Sequence, residues 1–337
     1  QEIETVATNI TLELEVHPSN VFTSPYDYDF ESGLNKEVPL AYEIKQLKPL
    51  ETTEGEFLEN LTFTKDNHKE YLKPEMAVFE KSVVNYQDEM YGAIEIPFSY
   101  FTPAKRLEKR PLLVLLHGAG EGGTNPEIPL YGNKGIALAQ TNIQSYFDGA
   151  YVLAPQAKTM WMDDGQGEYT KDGNSKYTNA VLELIESFID KHDVDRDRVY
   201  LIGGSNGGYM TVNLLLEKKE MFAAGVPICQ AYASEWITDK QLEQLREIPL
   251  WFVHATNDPV VLFEKTAKPL VERLEKLGNM NVYMTIFDKI VDTTGNYVDE
   301  VGKPYEYNGH WAWIPVFNDE VANETYSLFE WLNIQSK

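Results

Sequence analysis

The chain has 337 residues, 43% hydrophobic and 24% charged, with 53 acidic against 29 basic side chains and a formal net charge of −24. That length holds one large or two moderate domains, and the composition is that of a globular protein able to bury a core without metal or disulfide staples. So acidic a surface repels phosphate backbones and anionic lipid heads, which argues against nucleic acid as a partner. The single cysteine, Cys229, rules out an intrachain disulfide. It closes the apolar stretch Ala223-Ala224-Gly225-Val226-Pro227-Ile228 and reads as a small packed hydrophobe. No segment reaches the ~18 uninterrupted apolar residues of a membrane-spanning helix. The chain opens at Gln1, not Met; removal of a signal peptide would give this, and a secreted or cell-surface location is the expectation.

Residues 1–80 differ in texture from 81–337 and are read as a separate β-rich region. Ile10 to Val16 alternates apolar and polar residues, the period of a half-buried strand. Val38–Ile44 and Phe57–Phe63 are weaker strand candidates, joined by links rich in turn-forming residues. From about residue 90 strands alternate with helices. Predicted strands are Tyr91–Phe98, Leu112–Leu116, Tyr151–Ala154, Val199–Ile202, Leu250–Val253 and Val282–Phe287. Predicted helices are Asn179–Lys191, Met210–Lys219, Leu262–Leu277 and Glu320–Leu332. The run Leu-Leu-Val-Leu-Leu at 112–116 suits a strand buried on both faces. The alternation predicts an α/β fold with a mainly parallel sheet and helices on both faces.

Chemistry concentrates in Gly203-Gly204-Ser205-Asn206-Gly207, a G-x-S-x-G pattern placed between a buried strand and a helix. Such a turn is sharp and strained, lifts the serine hydroxyl clear of the sheet, and aims helix-start N–H groups at developing negative charge. A serine hydroxyl needs a base, and in such turns the acid and then the histidine follow along the chain. Asp258 follows the Leu250–Val253 strand and His310 lies beyond the last strand, so Ser205, Asp258 and His310 have the required order. His254 precedes the acid and is read as packing or orienting the loop. Asp288 and Asp292 are the alternative acids. His117-Gly118-Ala119-Gly120 follows an early strand and is the loop type that donates an N–H to an oxyanion. The donors are assigned to Ala119, or Gly120 if the turn differs, and Asn206. His117 itself is read as structural. Asp193-Val194-Asp195-Arg196-Asp197 has calcium-loop spacing but lacks the glycine and closing glutamate, and is read as a solvated connection.

Together, His117-Gly118-Ala119-Gly120-Glu121, Gly203 to Gly208, Asn257-Asp258-Pro259-Val260 and Gly309-His310-Trp311 resemble bacterial secreted esterases of the α/β-hydrolase superfamily. Their catalytic domains are similar to those of prolyl-oligopeptidase-like enzymes, feruloyl esterases and polyhydroxybutyrate depolymerases. The resemblance covers about residues 85–335. Members often carry an N-terminal immunoglobulin-like domain, and residues 1–80 resemble part of one. The resemblance implies hydrolysis of small or polymeric carboxylic esters through an acyl-enzyme, with no metal or organic cofactor. Ser205 would attack, His310 would carry the proton and Asp258 would orient it. Gly120, Trp161 and Trp311 are expected to face the acyl group, near Tyr169 and Trp313. The alternatives are a serine peptidase and a hydrolase-like binding module without catalysis. These features leave the oligomeric state open.

Overall fold

A computed structural model describes residues 17–20, 26–29, 31–37, 43–64, 73–104 and 109–337. They belong to two compact units, one within Gln1–Asp29 and Lys36–Lys73, the other Phe30–Asn35 with Pro74–Lys337. The boundary therefore differs from residue 80: the short segment ending at Asn35 packs with the larger unit.

In the smaller unit Glu43–Lys45 pairs antiparallel with Thr62–Thr64, and Leu50–Glu51 with Phe57–Leu58. The strand expected over Phe57–Phe63 is thus two strands with different partners. The Ile10–Val16 candidate lies outside the described residues, as does most of Val38–Ile44.

The larger unit is built on eight strands: β1 (Phe79–Asp88), β2 (Gly92–Phe101), β3 (Arg110–Leu116), β4 (Tyr151–Pro155), β5 (Val194–Gly204), β6 (Ala224–Ile228), β7 (Leu250–Ala255) and β8 (Val282–Phe287). Their order is β8-β7-β6-β5-β3-β4-β2-β1. The six from β4 to β8 in that order run parallel, and β2 pairs antiparallel with both β4 and β1. Leu112, Val114 and Leu116 of β3 point into one core layer, Leu113 and Leu115 into the other. A strand with period two and both faces apolar can only be covered on both sides. Helices α1 (Thr178–Lys191), α2 (Asn206–Lys218) and α3 (Ala267–Lys276) cover the first face, and α4 (Trp313–Phe317) and α5 (Leu328–Asn333) the second. This is the α/β-hydrolase fold.

Two helices are shorter than their sequence pattern predicts. Only Leu328–Asn333 is helical in the stretch expected to run from Glu320, because Ser327 and Glu330 form a capping box that starts the helix there. The stretch from Leu262 breaks at Thr266 into a short 3₁₀ turn and α3. Pro269 lacks an N–H and is tolerated only in a first turn, so the helix starts just before it. β1 escaped prediction because Lys81, Ser82, Asn85 and Gln87 give a sheet-edge strand a polar texture.

Along the chain, β4 lies to one side of β3 and β5 to the other. Strand order reverses at β3, and the crevice beyond the carboxyl ends of β3 and β5 is where such sheets bind ligands.

Candidate active site

Both glycine-rich loops open into that crevice. Leu116 ends β3 opposite Gly203 of β5, so the loop from His117 and the turn at Ser205 are neighbours. Ser205 stands between β5 and α2 with φ 56° and ψ −114°, a conformation L residues rarely adopt. Its N–H donates to Ile228 O at 2.9 Å and its carbonyl accepts from Ala231 N at 3.2 Å, which pins the turn to the end of β6. The flanking glycines are a packing requirement: a Cβ on Gly207 would sit 1.9 Å from Leu116 O.

Ser205, Asp258 and His310 meet in this crevice. The Ser205 hydroxyl lies 2.9 Å from His310 Nε2, and His310 Nδ1 lies 2.8 Å from Asp258 Oδ2. The aspartate fixes the tautomer: Nδ1 donates to it, leaving Nε2 free to accept the serine proton. Asp258 Oδ1 accepts from the backbone N–H groups of Val260 and Val261 at 2.8 and 2.9 Å. Burial opposes ionisation of Asp258, but hydrogen bonds from His254, His310 and Val261 outweigh it and hold the carboxyl well below the usual range. Gly309 packs directly against Asn257, joining the loop of His310 to that of Asp258. Asp292 instead caps its own turn, accepting from Thr294, Gly295 and Tyr307.

His254 does more than the sequence indicates. It is fully buried, with Nε2 3.0 Å from Val261 O and 3.3 Å from Asp258 Oδ2. One N–H is thus shared between the loop carbonyl and the relay carboxylate. The signal for this is the four-residue spacing from His254 to Asp258 across a strand end. Cys229, Asp258 and His310 form a group of possible metal ligands with donor atoms within 4.8 Å. Asp258 and His310 already bond each other, and the Cys229 thiol donates to His310 O at 3.3 Å. Burial pushes that thiol's pKa well up, so it is a packed neutral group.

In the upstream loop, Ala119–Glu121 forms a single 3₁₀ turn after Gly118. Among the described residues, the backbone N–H groups of Ala119, Gly120 and Asn206 donate to no protein acceptor. Two lie beside the turn and one at the start of α2, where a helix favours negative charge. His117 is buried and neutral. Ala157 N–H donates to its Nε2 at 3.0 Å, so the ring proton sits on Nδ1, which donates to Gly118 O at 2.6 Å. Burial lowers its pKa to about 4.

Trp161 corrects an expectation. It is completely buried, stacked at 4.6 Å on His117, and its Nε1–H donates to His117 O at 3.0 Å. It props the loop from behind and does not line an open pocket. Trp313 is likewise buried, with its ring edge-on to His310 at 5.4 Å. Trp311 and Tyr169 remain exposed, at 39% and 53%. The long 156–177 segment is held by Asp163, which accepts from Thr159, Gly165 and Gly167 and pairs with Lys176 at 2.6 Å.

Residues 100–295 match the model of the phospholipase/carboxylesterase family. The chain belongs to that family. The bifunctional acetylxylan esterase/xylanase XynS20E of Neocallimastix patriciarum is 27% identical over 55% of this chain and 24% of its own length. Acyl-protein thioesterase 1 of Cryptococcus neoformans is 30% identical over 45% of this chain and 59% of its own. The chain therefore spans from about a quarter to three-fifths of the length of these curated relatives. Among solved structures, a thermostable esterase superposes with a TM-score of 0.71 at 28% identity, over 95% of this chain and 78% of that one. No helix among the described residues is long and apolar enough to cross a membrane.

Proposed function

We propose that this chain is a serine-dependent carboxylic-ester hydrolase working through an acyl-enzyme. The observation that carries the reading is the continuous relay from Ser205 through His310 to Asp258, at 2.9 and 2.8 Å, with the serine on a strained turn at the strand switch point. His310 Nε2 takes the Ser205 proton as Oγ bonds to the ester carbonyl carbon, and the carbonyl electron pair moves onto oxygen. Backbone N–H groups of Asn206 and of Ala119 or Gly120 receive that oxyanion, each worth on the order of 10²–10³ in turnover. Collapse expels the alcohol with the proton His310 holds. Water, deprotonated by His310, then attacks the acyl-enzyme and releases the acid. Asp258 stays ionised and steadies the imidazolium throughout.

The names of the relatives support ester or thioester substrates. Exposed Trp311, beside His310, supports a short or aromatic acyl group, including feruloyl-type and polyester chains. On polymeric esters the enzyme acts outside the cell, and secretion belongs to the proposal to that extent. The test is hydrolysis of p-nitrophenyl acetate, butyrate and ferulate and of an acyl thioester, beside Ser205→Ala. The wild type turns over at least one of these, and Ser205→Ala is slower by roughly 10³-fold or more. Equal rates for the two proteins would remove the reading.

A further inference from the structure

Glu121 sits inside the oxyanion loop and has no part in the relay. Its side chain is almost completely buried, at 3% exposure, where an ionised carboxylate is costly unless bonded. Burial raises its pKa to about 7, against hydrogen bonds from Asn35, the Gly118 and Glu121 backbone and Asn133. The carboxylate curls back over the start of its own loop. A Cβ on Gly118 would lie 2.8 Å from Glu121 Oε2, and one on Gly132 3.2 Å from Glu121 Cγ. The outer oxygen, Oε1, accepts from Asn35 Nδ2 at 2.6 Å, a contact across 86 positions of sequence. Asn35 is half-buried on the short strand Leu34–Glu37, and Leu34 reaches to within 3.1 Å of where a Gly122 Cβ would be. Both residues belong to the short segment Phe30–Asn35 that packs with the hydrolase unit.

We infer that Asn35 and Glu121 form a clasp that sets the oxyanion loop, making both positioning residues for the reaction. The Gly118 backbone is among the groups that bond the Glu121 carboxylate, while Ala119 and Gly120 N–H donate to no backbone acceptor among the described residues. A carboxylate accepts from several donors at once; Asn35 and Asn133 come from outside the loop, and Asn35 is the one that ties it to the amino-terminal segment. Without that donor the loop keeps its residues but loses its fixed aim. Oxyanion donors act only when they are preorganised, so the loss is read in the transition state and not in substrate binding.

The inference rests on the esterase reading, and the experiment separates the two. An aryl trifluoromethyl ketone mimics the tetrahedral state: Ser205 Oγ bonds to its carbonyl carbon, the serine proton passes to His310, and the oxyanion enters the loop. Asn35→Asp is near-isosteric but turns a donor into an acceptor facing Glu121. It is expected to lower kcat on p-nitrophenyl acetate by about 10- to 100-fold with KM within about twofold, and to weaken the ketone by the same factor. In a double-mutant cycle with Glu121→Gln the losses are less than additive. If Asn35→Asp fails to fold, Asn35→Ala is judged by the same readouts, because its side chain is only half-buried. Unchanged kcat and ketone affinity in the folded variant overturn the clasp, whatever happens to its melting temperature. Absence of ester turnover by the wild type would instead overturn the esterase reading.

Discussion

Asp258 is held from three directions, and each bond has a different consequence. Two backbone N–H groups fix Oδ1, and Oδ2 is shared by His310 and His254. His254→Phe keeps a ring against Phe263, now 5.4 Å away, but removes the shared N–H. Val261 O loses its partner in a buried site, which costs about 1–3 kcal/mol. The expected result is a lower melting temperature and a kcat reduced about 3- to 10-fold with KM little changed. Steady-state kinetics and calorimetry on the same preparation check this; unaltered kcat would mean that the backbone alone positions Asp258. At this scale the sequence was informative wherever a residue type has few reasons to be where it is. A serine flanked by four glycines, an Asp-Pro after a strand and a His before a Trp each point to one site. Trp161 was less legible: its place in a polar loop suggested exposure, and only the three-dimensional arrangement puts it behind His117.

The β5–α2 turn is legible from sequence because its glycines are sterically required. Gly207 faces the carbonyl ends of Leu116 and His117, so Gly207→Ala drives a methyl group into backbone of a neighbouring strand. Overpacking of this kind typically costs 1–3 kcal/mol or more. Gly207→Ala is expected to lower the melting temperature and to cut activity more than stability, because the displaced backbone carries His117 and its loop. A variant with wild-type kcat would contradict that coupling. Elements whose limits are set by a single local signal inside an apolar pattern were less legible. The break before α3 and the late start of α5 lie within continuous apolar patterns, and the competing signals were a proline and a capping box. The polar edge strand β1 gave little periodic signal because most of its side chains stay exposed, with only Phe79 and Asp88 buried.

Across the whole molecule, the parallel sheet and its two covered faces follow from apolar strands alternating with amphipathic helices, which is why the larger unit was readable from about residue 90. The amino-terminal segment was not readable as part of it, since a single asparagine donor leaves no pattern. That segment's partner, Glu121, gives the molecule a specific response to pH. Its carboxyl is raised from an ordinary 4.5 to about 7 in the folded chain. The folded state therefore favours the protonated form, and this contribution is present below pH 4.5 and lost as pH rises through 7. The change is on the order of 3 kcal/mol at about 1.4 kcal/mol per pKa unit. His117, lowered to about 4, acts in the opposite sense, its contribution being lost as pH falls from 6.5 towards 4. Comparing Glu121→Gln with the wild type cancels the His117 part. The stability difference, variant minus wild type, is expected to rise between pH 4.5 and 7.5 in denaturant titrations, and a flat difference would show that Glu121 ionises as freely folded as unfolded.

The most direct test of the account is covalent labelling of the nucleophile. The wild type is exposed to a fluorophosphonate, digested, and the modified peptide is located by mass spectrometry while residual ester hydrolysis is followed. One adduct on Ser205, accumulating in step with the loss of activity and absent from Ser205→Ala, is the predicted result. An adduct on another residue, or an inactivated enzyme with Ser205 unmodified, would contradict it.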